Sequence, residues 1–351
     1  MRDHFAVGVI TSDRDFGGKQ SYASITTNTW QPFDRGIRVR YCTPGISRIR
    51  QVHAILNESP HATVYLNSMF SRSFTLLPLW LLSKNQSRNR VILTPRGMLK
   101  PSALKFKAWK KIPFLRLMQR WKFLRQLSFH ATDVSERDDI FRIFGKESCI
   151  SIVPNCTPRP QTRTKPILKK PGSLKVISVA RIHPIKNTLF LIDALARTRQ
   201  SVVLDLYGPI EDAAYWKVCQ QRIRALPNNV QVTYCGELAS CAVRSRIERY
   251  HLFGLATRGE NFGHAIYEAL STGKPVLISD QTPWRDLAKK KAGWDLPLKD
   301  THYFTQTIEG IAQYSQFEYD EWCAGAHTLA EQFCRSQETT DLYKSLFLNA
   351  A

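Results

Sequence analysis

Short apolar runs alternate with polar or helix-compatible segments along the first half of the chain. A strand buried in a parallel sheet is an apolar run of about four to eight residues bounded by turn signals. The runs that fit this description, or approach it, lie at 5–10, 62–66, 91–93, 127–131 and 150–153. Their alternation with polar and helical segments predicts a parallel sheet wrapped by helices.

The same alternation begins again after a proline-rich stretch. Five prolines occur between positions 154 and 171, a composition typical of an interdomain linker. Further apolar runs follow at 174–180, 202–207, 230–234, 252–256 and 275–279, again separated by helical segments. We therefore predict two doubly wound α/β domains, with ligands at the carboxyl ends of the strands in the cleft between them. The predicted parts are an N-terminal domain (1–158), a linker (159–172), a second domain (173–334) and a C-terminal helix (335–351) that returns to the first domain.

The net charge of +21 belongs to one half of the chain. Residues 1–170 contain 30 Lys and Arg against 10 Asp and Glu, whereas residues 171–351 contain 20 against 19. No acidic residue lies between Glu58 and Asp133, although 14 basic residues do. Such an excess favours a polyanionic partner: nucleic acid, an anionic membrane face or phosphorylated ligands.

We expect no targeting or membrane-spanning segment in this sequence. The first apolar run is broken by charge and lacks a small-residue cleavage site, so it predicts a strand and not a secretory signal. No apolar stretch approaches the ~20 residues that a spanning helix needs. The eight cysteines are scattered without a CxxC pair and are too sparse for a disulfide framework. We therefore expect a cytoplasmic protein with reduced, mostly buried thiols.

The segment 256–277 carries the strongest chemical signal. A strand ends near Ala256, a glycine-bearing loop follows, and a helix begins at Gly263 with first-turn amides that favour an anionic or polar ligand. Glu260 lies in the loop, and Glu268 shares a helix face with His264 because of the i, i+4 spacing. Two carboxylates beside an amide-rich loop suit sugar hydroxyls. On the residues alone, a surface loop carboxylate and a solvated helix carboxylate are the simpler interpretation.

Residues 260–276 resemble the glycosyltransferases of family 4, whose pattern E-x-F-G-x-x-x-x-E-A-x-x-x-G-x-P-V they reproduce in full. The resemblance implies an α/β GT-B fold, in which two doubly wound Rossmann-like domains face each other across a cleft. It implies that Glu260 contacts the donor sugar and that Glu268 holds the nucleotide ribose. The loop of Asn261, Phe262, Gly263 and His264 would bind sugar hydroxyls and the diphosphate.

A second segment, 179–187, is similar to the strand of that family that is followed by Arg, four residues and Lys. The resemblance implies that Arg181 and Lys186 bind the donor diphosphate. The planar guanidinium of Arg181 would donate two parallel hydrogen bonds, and the ammonium group of Lys186 would supply a compact positive charge. Taken alone, the two residues are equally well explained as a solvent-exposed basic pair. The loops containing Gly208 and Leu238 resemble the strand-end loops that lie beside the nucleotide base in that family.

The first half resembles the family less closely. Gly17 and Gly18, after the first strand, look like the glycine turn that approaches the diphosphate, and a simple turn explains them nearly as well. Asn155 fits the V-P-N that ends this domain in relatives, where we interpret it as a linker contact. Many relatives carry a His after the strand at 91–93, but this chain has Arg96. Arg96 is therefore a candidate acceptor or phosphate contact, or a structural residue.

We expect no metal and no other cofactor. The donor substrate would be a UDP- or GDP-linked sugar. Asp13 and Asp15 form a D-x-D, the divalent-metal motif of the other large glycosyltransferase fold, without the surroundings of that fold. We interpret the match as chance. No His and Cys group has the spacing of metal ligands.

Residues 100–129 predict two amphipathic helices split at Pro113, which suits the first turn of a helix. Basic residues interleave there with Trp109, Trp121 and several leucines and phenylalanines. One interpretation is attachment to an anionic membrane surface, where each nearby cation contributes ~1 kcal/mol and Trp settles at the interface. The other is inward packing of the aromatic rings beneath a solvated basic face.

Two alternatives come from other functional classes. A nucleic-acid-binding protein would use the basic, aromatic-rich half, but no RRM, KH, helix-turn-helix or zinc-finger pattern is present and Glu260 and Glu268 are left unexplained. A non-catalytic nucleotide-sugar-binding scaffold is disfavoured by the intact motifs.

The resemblance implies retaining, metal-independent transfer of a hexosyl or N-acetylhexosaminyl group to a saccharide acceptor. The runs T-P-R-G-M-L and T-R-G-E-N-F-G-H are similar to runs in enzymes of bacterial surface polysaccharide, O-antigen and lipopolysaccharide synthesis. We expect a polyprenyl-diphosphate-linked acceptor, no nucleic-acid partner, and a peripheral location on the inner face of the cytoplasmic membrane.

Overall fold

A computed structural model describes residues 5–14, 18, 20–23, 25–34, 36–84, 89–105, 108–121, 123, 127–160, 167–335 and 339–348. The chain divides into two compact units: unit 1 comprises residues 1–155 and 338–351, and unit 2 comprises residues 156–337. Both units are built from parallel strands and helices, so the predicted α/β class is confirmed.

Unit 1 contains two sheets among its described residues, and in the larger one all four strands are parallel in the order β4-β5-β6-β7. The elements up to position 152 are β1 (Val7–Ser12), β2 (Trp30–Asp34), β3 (Ile37–Cys42), α1 (Ile46–Glu58), β4 (Thr63–Asn67), α2 (Leu77–Lys84), β5 (Arg90–Thr94), α3 (Pro101–Lys105), α4 (Ala108–Arg120), β6 (Ser128–Ala131), α5 (Val134–Phe144) and β7 (Cys149–Ile152). One π-helical turn, Arg72–Leu76, leads into α2.

The smaller sheet departs from the expected alternation of strand and helix. Its order is β1-β3-β2, with β1 parallel and β2 antiparallel to β3. Strands β2 and β3 were not expected, because polar or charged residues interrupt both of them, and neither forms an apolar run. The Cζ atoms of Arg38 and Arg40 lie 5.4 and 5.9 Å from the centroid of the Trp30 ring. The charged side chains of β3 therefore make cation–π contacts with β2.

The predicted break at Pro113 is wrong. Pro113 lies inside α4, and the two helices of this segment are α3, which ends at Lys105, and α4, which begins at Ala108. Leu115 and Met118 of α4 are buried, and Lys111 Nζ donates to the carbonyl of Ala103 at 2.7 Å. Helix α4 is therefore held to unit 1 by one face despite the proline.

Unit 2 is a doubly wound domain with one six-stranded parallel sheet. Its elements are β8 (Ser173–Val179), α6 (Thr188–Leu195), β9 (Ser201–Tyr207), α7 (Ala213–Arg224), β10 (Val230–Tyr234), α8 (Ser240–Ile247), β11 (Leu252–Leu255), α9 (His264–Ser271), β12 (Val276–Ser279), β13 (Gly293–Leu296), α10 (Thr301–Gln313) and α11 (Gln316–Arg335). The strand order β10-β9-β8-β11-β12-β13 reverses direction between β8 and β11. Ligands bind at such a reversal, outside the carboxyl ends of the strands.

Two apolar clusters cover the two faces of this sheet. Along β12, Val276 and Ile278 face the cluster that includes α9, whereas Leu277 faces the cluster that includes α6 and α10. Successive strand residues point to opposite faces. Burial on both faces explains why these strands are continuous apolar runs in the sequence.

The end of the predicted linker, 159–172, packs on unit 2. Lys169 is 2% exposed, and its Nζ donates to the carbonyls of Ala312 at 2.6 Å and Lys170 at 3.0 Å. The ammonium group thus satisfies a carbonyl at the C-terminus of α10, where a cation is favourable.

The last helix, α12 (Thr339–Leu348), belongs to unit 1. Arg90 donates from Nη1 to the carbonyl of Phe347 at 2.9 Å and from Nη2 to that of Leu346 at 2.5 Å. The Phe347 ring packs on Tyr65 with centroids 5.6 Å apart. The described residues contain no helix of the length and hydropathy needed to cross a bilayer.

None of the eight cysteines, all of which lie in the described parts of the chain, forms a disulfide. The prediction that they are mostly buried is wrong, because only Cys42, Cys219 and Cys323 are buried. A scattered cysteine carries no periodicity of its own, so its burial depends on the face of the element in which it lies.

Candidate active site

The predicted donor-side residues of unit 2 follow the carboxyl ends of its strands. Arg181 and Lys186 follow β8, and Glu260 follows β11, the neighbouring strand at the reversal of the sheet. Gly208 follows β9, and Leu238 follows β10. The fold therefore gathers at one edge residues that lie up to 79 positions apart in the sequence.

Lys186 and Glu260 are in direct contact. Lys186 Nζ donates to Glu260 Oε2 at 2.5 Å, and the two side chains are 14% and 17% exposed. The pair is therefore largely removed from water, where a charge-assisted hydrogen bond is stronger than at the surface. Each charge also stays close to solvent, so a ligand can reach it.

The backbone around this pair is tied down from three strands. The amide of Arg258 donates to the carbonyl of Ile185 at 2.7 Å, and Thr257 Oγ1 donates to the same carbonyl at 3.1 Å. The Glu260 amide donates to the carbonyl of Gln281, beyond β12, at 3.0 Å. These bonds fix the loops after β8, β11 and β12 against one another, which preorganises the Lys186–Glu260 contact.

Gly263 is the N-cap of α9 and has a left-handed conformation, with φ of 81°. A Cβ atom at this position would lie 2.7 Å from Ile266 Cδ1 and 3.2 Å from Glu260 Cγ. Glycine is thus required both by the backbone and by the space. Gly263 provides no side-chain cap for the first-turn amides of α9, whose dipole end favours an anion.

The loop residues next to Gly263 lie on an aromatic cluster. The Phe262 ring contacts those of His264 and Trp284 with centroids 4.8 and 5.7 Å apart, and Asn261 is partly buried. Trp284 Nε1 donates to the Phe262 carbonyl at 2.7 Å. The sequence reasoning missed Trp284 as a support of this loop, since it lies 22 residues from Phe262 with no motif of its own.

Glu268 lies in α9 and is partly buried. Burial raises the pKa of its carboxyl above the ordinary value. Folding therefore makes the ionised form of Glu268 less favourable.

Replacing Glu268 with glutamine is expected to raise the melting temperature near neutral pH. Because the pKa is higher in the folded state than in the unfolded state, folding favours the protonated carboxyl. The protonated carboxyl stabilises the folded state fully at pH values below its pKa in the unfolded state, about 4.3. This stabilisation is lost as the pH rises through the pKa of the carboxyl in the folded state. The rise in melting temperature caused by Glu268→Gln is therefore expected at about pH 7.5 and should disappear near pH 4. Thermal unfolding of both proteins at the two pH values measures it. An equal change in melting temperature at both pH values would contradict the prediction.

Arg181 has a partner that the sequence did not indicate. Its Nη1 donates to both carboxylate oxygens of Glu211, at 2.8 and 2.6 Å, and the Arg181 side chain is 51% exposed. Glu211 lies in the loop after β9, the strand beside β8 in the sheet. Its position four residues past a strand end is the only signal in the sequence that could have identified it.

Gly208 lies against the backbone that leads to Arg181. Its φ is 135°, its amide donates to the carbonyl of Gly236 at 2.9 Å, and a Cβ there would lie 2.2 Å from the carbonyl oxygen of Ala180. The loop after β9 can therefore approach Arg181 only with glycine at this position. Leu238 is partly buried against the apolar cluster that includes Tyr207.

The remaining candidates belong to unit 1. Gly18 is exposed, and Gly17 lies outside the described residues. Arg96 lies after β5, partly exposed. Asp13 is buried and pairs with Arg14 at 2.7 Å, while Asp15 lies outside the described residues. No His, Cys, Asp and Glu group in the described parts of the chain is arranged to hold a metal ion.

Comparisons with known proteins identify the class of this fold. Residues 161–311 match the family described as glycosyl transferases group 1. HepE from Anabaena, solved with UDP-glucose, is 18% identical, covers 89% of this chain and 86% of its own, and superposes with a TM-score of 0.69. The sucrose-phosphate synthase of Thermosynechococcus elongatus is 15% identical with a TM-score of 0.73, over 98% and 90% of the two chains.

The lipopolysaccharide outer core galactosyltransferase WaaB is 18% identical, with a TM-score of 0.57 over 90% of this chain and 84% of its own. No protein with a curated description matches the sequence. The structural neighbours have the GT-B fold, so the predicted fold is confirmed. The family match covers the carboxyl edge built around Lys186 and Glu260, so this part of the chain is similar to group 1 glycosyltransferases.

Proposed function

We propose that the protein is a retaining, metal-independent glycosyltransferase that takes a hexosyl or N-acetylhexosaminyl group from a UDP- or GDP-linked sugar. The observation that carries the proposal is the Lys186–Glu260 contact of 2.5 Å at the reversal point of a doubly wound sheet. A cation for the diphosphate and a carboxylate for the sugar lie side by side there, next to the N-terminus of α9. The description of HepE with UDP-glucose supports a nucleotide-sugar donor.

In the proposed reaction, Lys186 and Arg181 exchange part of their pairing with Glu260 and Glu211 for the donor diphosphate. The bond between the sugar C1 and the phosphate oxygen breaks, and the acceptor oxygen forms its bond to C1 on the same face. The acceptor proton passes to the leaving phosphate. The two cations neutralise the charge that develops on the nucleoside diphosphate, which lowers the barrier to its departure. Glu268 would hold the ribose diol, and Glu260 the sugar hydroxyls.

The test is hydrolysis of a panel of UDP- and GDP-linked sugars without acceptor, with and without EDTA. We expect slow release of UDP or GDP from one donor class, unaffected by EDTA, and protection of the protein from thermal unfolding by the same nucleotide. Protection without turnover in any donor and acceptor mixture would instead favour a non-catalytic scaffold. Tight binding of RNA or DNA without protection by either nucleotide would favour the nucleic-acid alternative.

The proposed acceptor is a saccharide on a polyprenyl diphosphate in surface polysaccharide or O-antigen synthesis, reached from the inner face of the cytoplasmic membrane. Exposed residues on one face of α4 support this. Trp109, Ile112 and Leu117 are 74%, 42% and 70% exposed, and their spacing places them on the same side of the helix as Arg116 and Arg120. Lys110 Nζ lies 4.5 Å from the Trp109 ring centroid. An outward face of apolar and cationic side chains suits the interface of an anionic bilayer.

Changing Trp109 and Leu117 to serine is expected to lower binding to vesicles that contain an anionic lipid by about tenfold, since each loses apolar area at the interface. Flotation of the full-length protein with neutral and anionic vesicles measures the effect. Phe317→Ser is the matched control, because Phe317 is also 74% exposed but lies on α11 of unit 2. Equal binding to neutral and anionic vesicles, or an equal loss in the control, would contradict the proposal.

A further inference from the structure

Arg96 is braced by three side chains from two other segments of unit 1. Its Nε donates to Asn67 Oδ1 at 2.8 Å, its Nη2 donates to the Tyr65 hydroxyl at 3.0 Å, and its Nη1 donates to Asn155 Oδ1. Asn67 ends β4, Arg96 follows β5, and Asn155 follows β7. The guanidinium is therefore fixed at the carboxyl edge of the four-stranded parallel sheet, where ligands of such sheets bind.

A buried histidine sets the direction of these hydrogen bonds. His130 is fully buried, with Nε2 2.7 Å from the carbonyl of Val153 and Nδ1 2.7 Å from the Tyr65 hydroxyl. A carbonyl only accepts, so Nε2 carries the proton and Nδ1 accepts from Tyr65. The Tyr65 oxygen is then left to accept from Arg96. Burial lowers the pKa of His130, which keeps the ring neutral in this arrangement.

The charge of Arg96 is not neutralised by its partners. All three are uncharged oxygens, and among the described residues no carboxylate pairs with Arg96. The buried carboxylate of Glu136 is already engaged by the Gly97 amide at 2.5 Å and by the amide and hydroxyl of Thr132 at 2.8 and 2.7 Å. A guanidinium has five N–H groups, so two of them and the full positive charge remain for a ligand.

The backbone at Arg96 is also unusual. Its φ is 52°, in the left-handed region that costs a residue with a side chain roughly 1–2 kcal/mol. Gly97, which follows, has φ of 72° and donates its amide to Glu136. Such strain is retained where the surrounding contacts over-determine the conformation, and it clusters at ligand sites. Here it directs the Arg96 side chain into the brace.

We propose that Arg96 is a phosphate-binding residue that contacts a phosphate group of one of the two substrates. A planar guanidinium with two uncommitted N–H groups matches two oxygens of a phosphate. The brace removes the entropy cost of ordering a long side chain on binding. The inference rests on the proposed glycosyl transfer, since both a nucleotide-sugar donor and a lipid diphosphate-linked acceptor carry the phosphate that this residue would bind.

The experiment is calorimetric titration of the full-length protein with inorganic pyrophosphate at low salt. The Arg181→Gln/Lys186→Gln background removes the proposed donor-side cations, so binding that remains reports other sites. We expect measurable binding in this background, at least tenfold weaker binding when Arg96→Gln is added, and a substantial recovery with Arg96→Lys. Arg137→Gln is the matched control, because Arg137 is a partly exposed arginine of unit 1 paired with Asp138.

The Arg96→Lys variant distinguishes a loss of phosphate binding from a loss of local structure. Glutamine and lysine both disrupt the three-way brace, but only lysine keeps the charge. Equal loss with both, no loss with Arg96→Gln, or absence of binding in the starting background would each overturn the proposal. The pyrophosphate titration needs no turnover, so its result does not depend on whether any donor sugar in the hydrolysis panel is cleaved. Once binding is established, a raised KM in donor hydrolysis by Arg96→Gln assigns the donor phosphate, and an unchanged KM assigns the acceptor phosphate.

Discussion

Replacing Lys186 with alanine is expected to lower kcat for donor hydrolysis by about 10²–10³-fold, the effect of removing one group that stabilises developing charge. In the proposed reaction, negative charge grows on the leaving diphosphate, and Lys186 is the least exposed cation at the carboxyl edge of β8. An interaction that strengthens as the bond breaks lowers kcat more than it changes KM. The substitution also leaves Glu260 without its 2.5 Å ion-pair contact, so a loss of stability of ~1–3 kcal/mol is expected alongside.

Steady-state hydrolysis of the donor identified from the panel measures this effect. Lys217→Ala is the control, because Lys217 is an exposed lysine of the same unit, on α7. Glu260→Gln should lower kcat as well, and the double variant should lose less than the product of the two single losses, since the residues act as one unit. A Lys186→Ala enzyme with unchanged kcat would remove the diphosphate role from this residue.

Much of unit 2 could be predicted from the sequence because two kinds of signal agree there. The strands are continuous apolar runs, as burial on both sheet faces requires, and the motif residues follow directly after those runs. Parallel strands bring their carboxyl ends to one edge, so residues at 186 and 260 could be expected to lie near each other. The structure brings them into direct contact, although the roles of these residues stay predictions.

The pairings outside the motifs could not be predicted in this way. Glu211 and Trp284 belong to loops whose course depends on the three-dimensional arrangement of neighbouring strands. The brace of Arg96 joins residues from three separate segments, and only Arg96 and Asn155 stood out in the sequence. Strands β2 and β3 were missed because polar or charged residues interrupt them, and such a pattern is a weaker signal than a continuous apolar run. The helix through Pro113 shows tertiary packing overriding a local preference.

Gly208→Ala is expected to be the most destabilising single-methyl change at the candidate site, costing more than ~3 kcal/mol. The new Cβ would lie 2.2 Å from the oxygen and 2.7 Å from the carbon of the Ala180 carbonyl, at a φ of 135°. These are backbone atoms, held by the bond from the Ala180 amide to the carbonyl of Tyr207 at 2.9 Å, so no side chain can rotate away. Relief requires separation of the ends of β8 and β9, which also displaces Arg181.

Two other glycines separate steric overlap from the cost of backbone conformation, with urea unfolding as the measurement. Gly236 has φ of 82° and open space around a Cβ, so Gly236→Ala should cost only the ~1–2 kcal/mol of the left-handed region. Gly310 lies within α10 with open space and no positive φ, so alanine there should stabilise by about 0.5–1 kcal/mol. The predicted order of stability is Gly310→Ala, wild type, Gly236→Ala and then Gly208→Ala. If Gly208→Ala were no worse than Gly236→Ala, the close approach of the β9 loop to Ala180 would be refuted, and with it the reason for glycine beside Arg181.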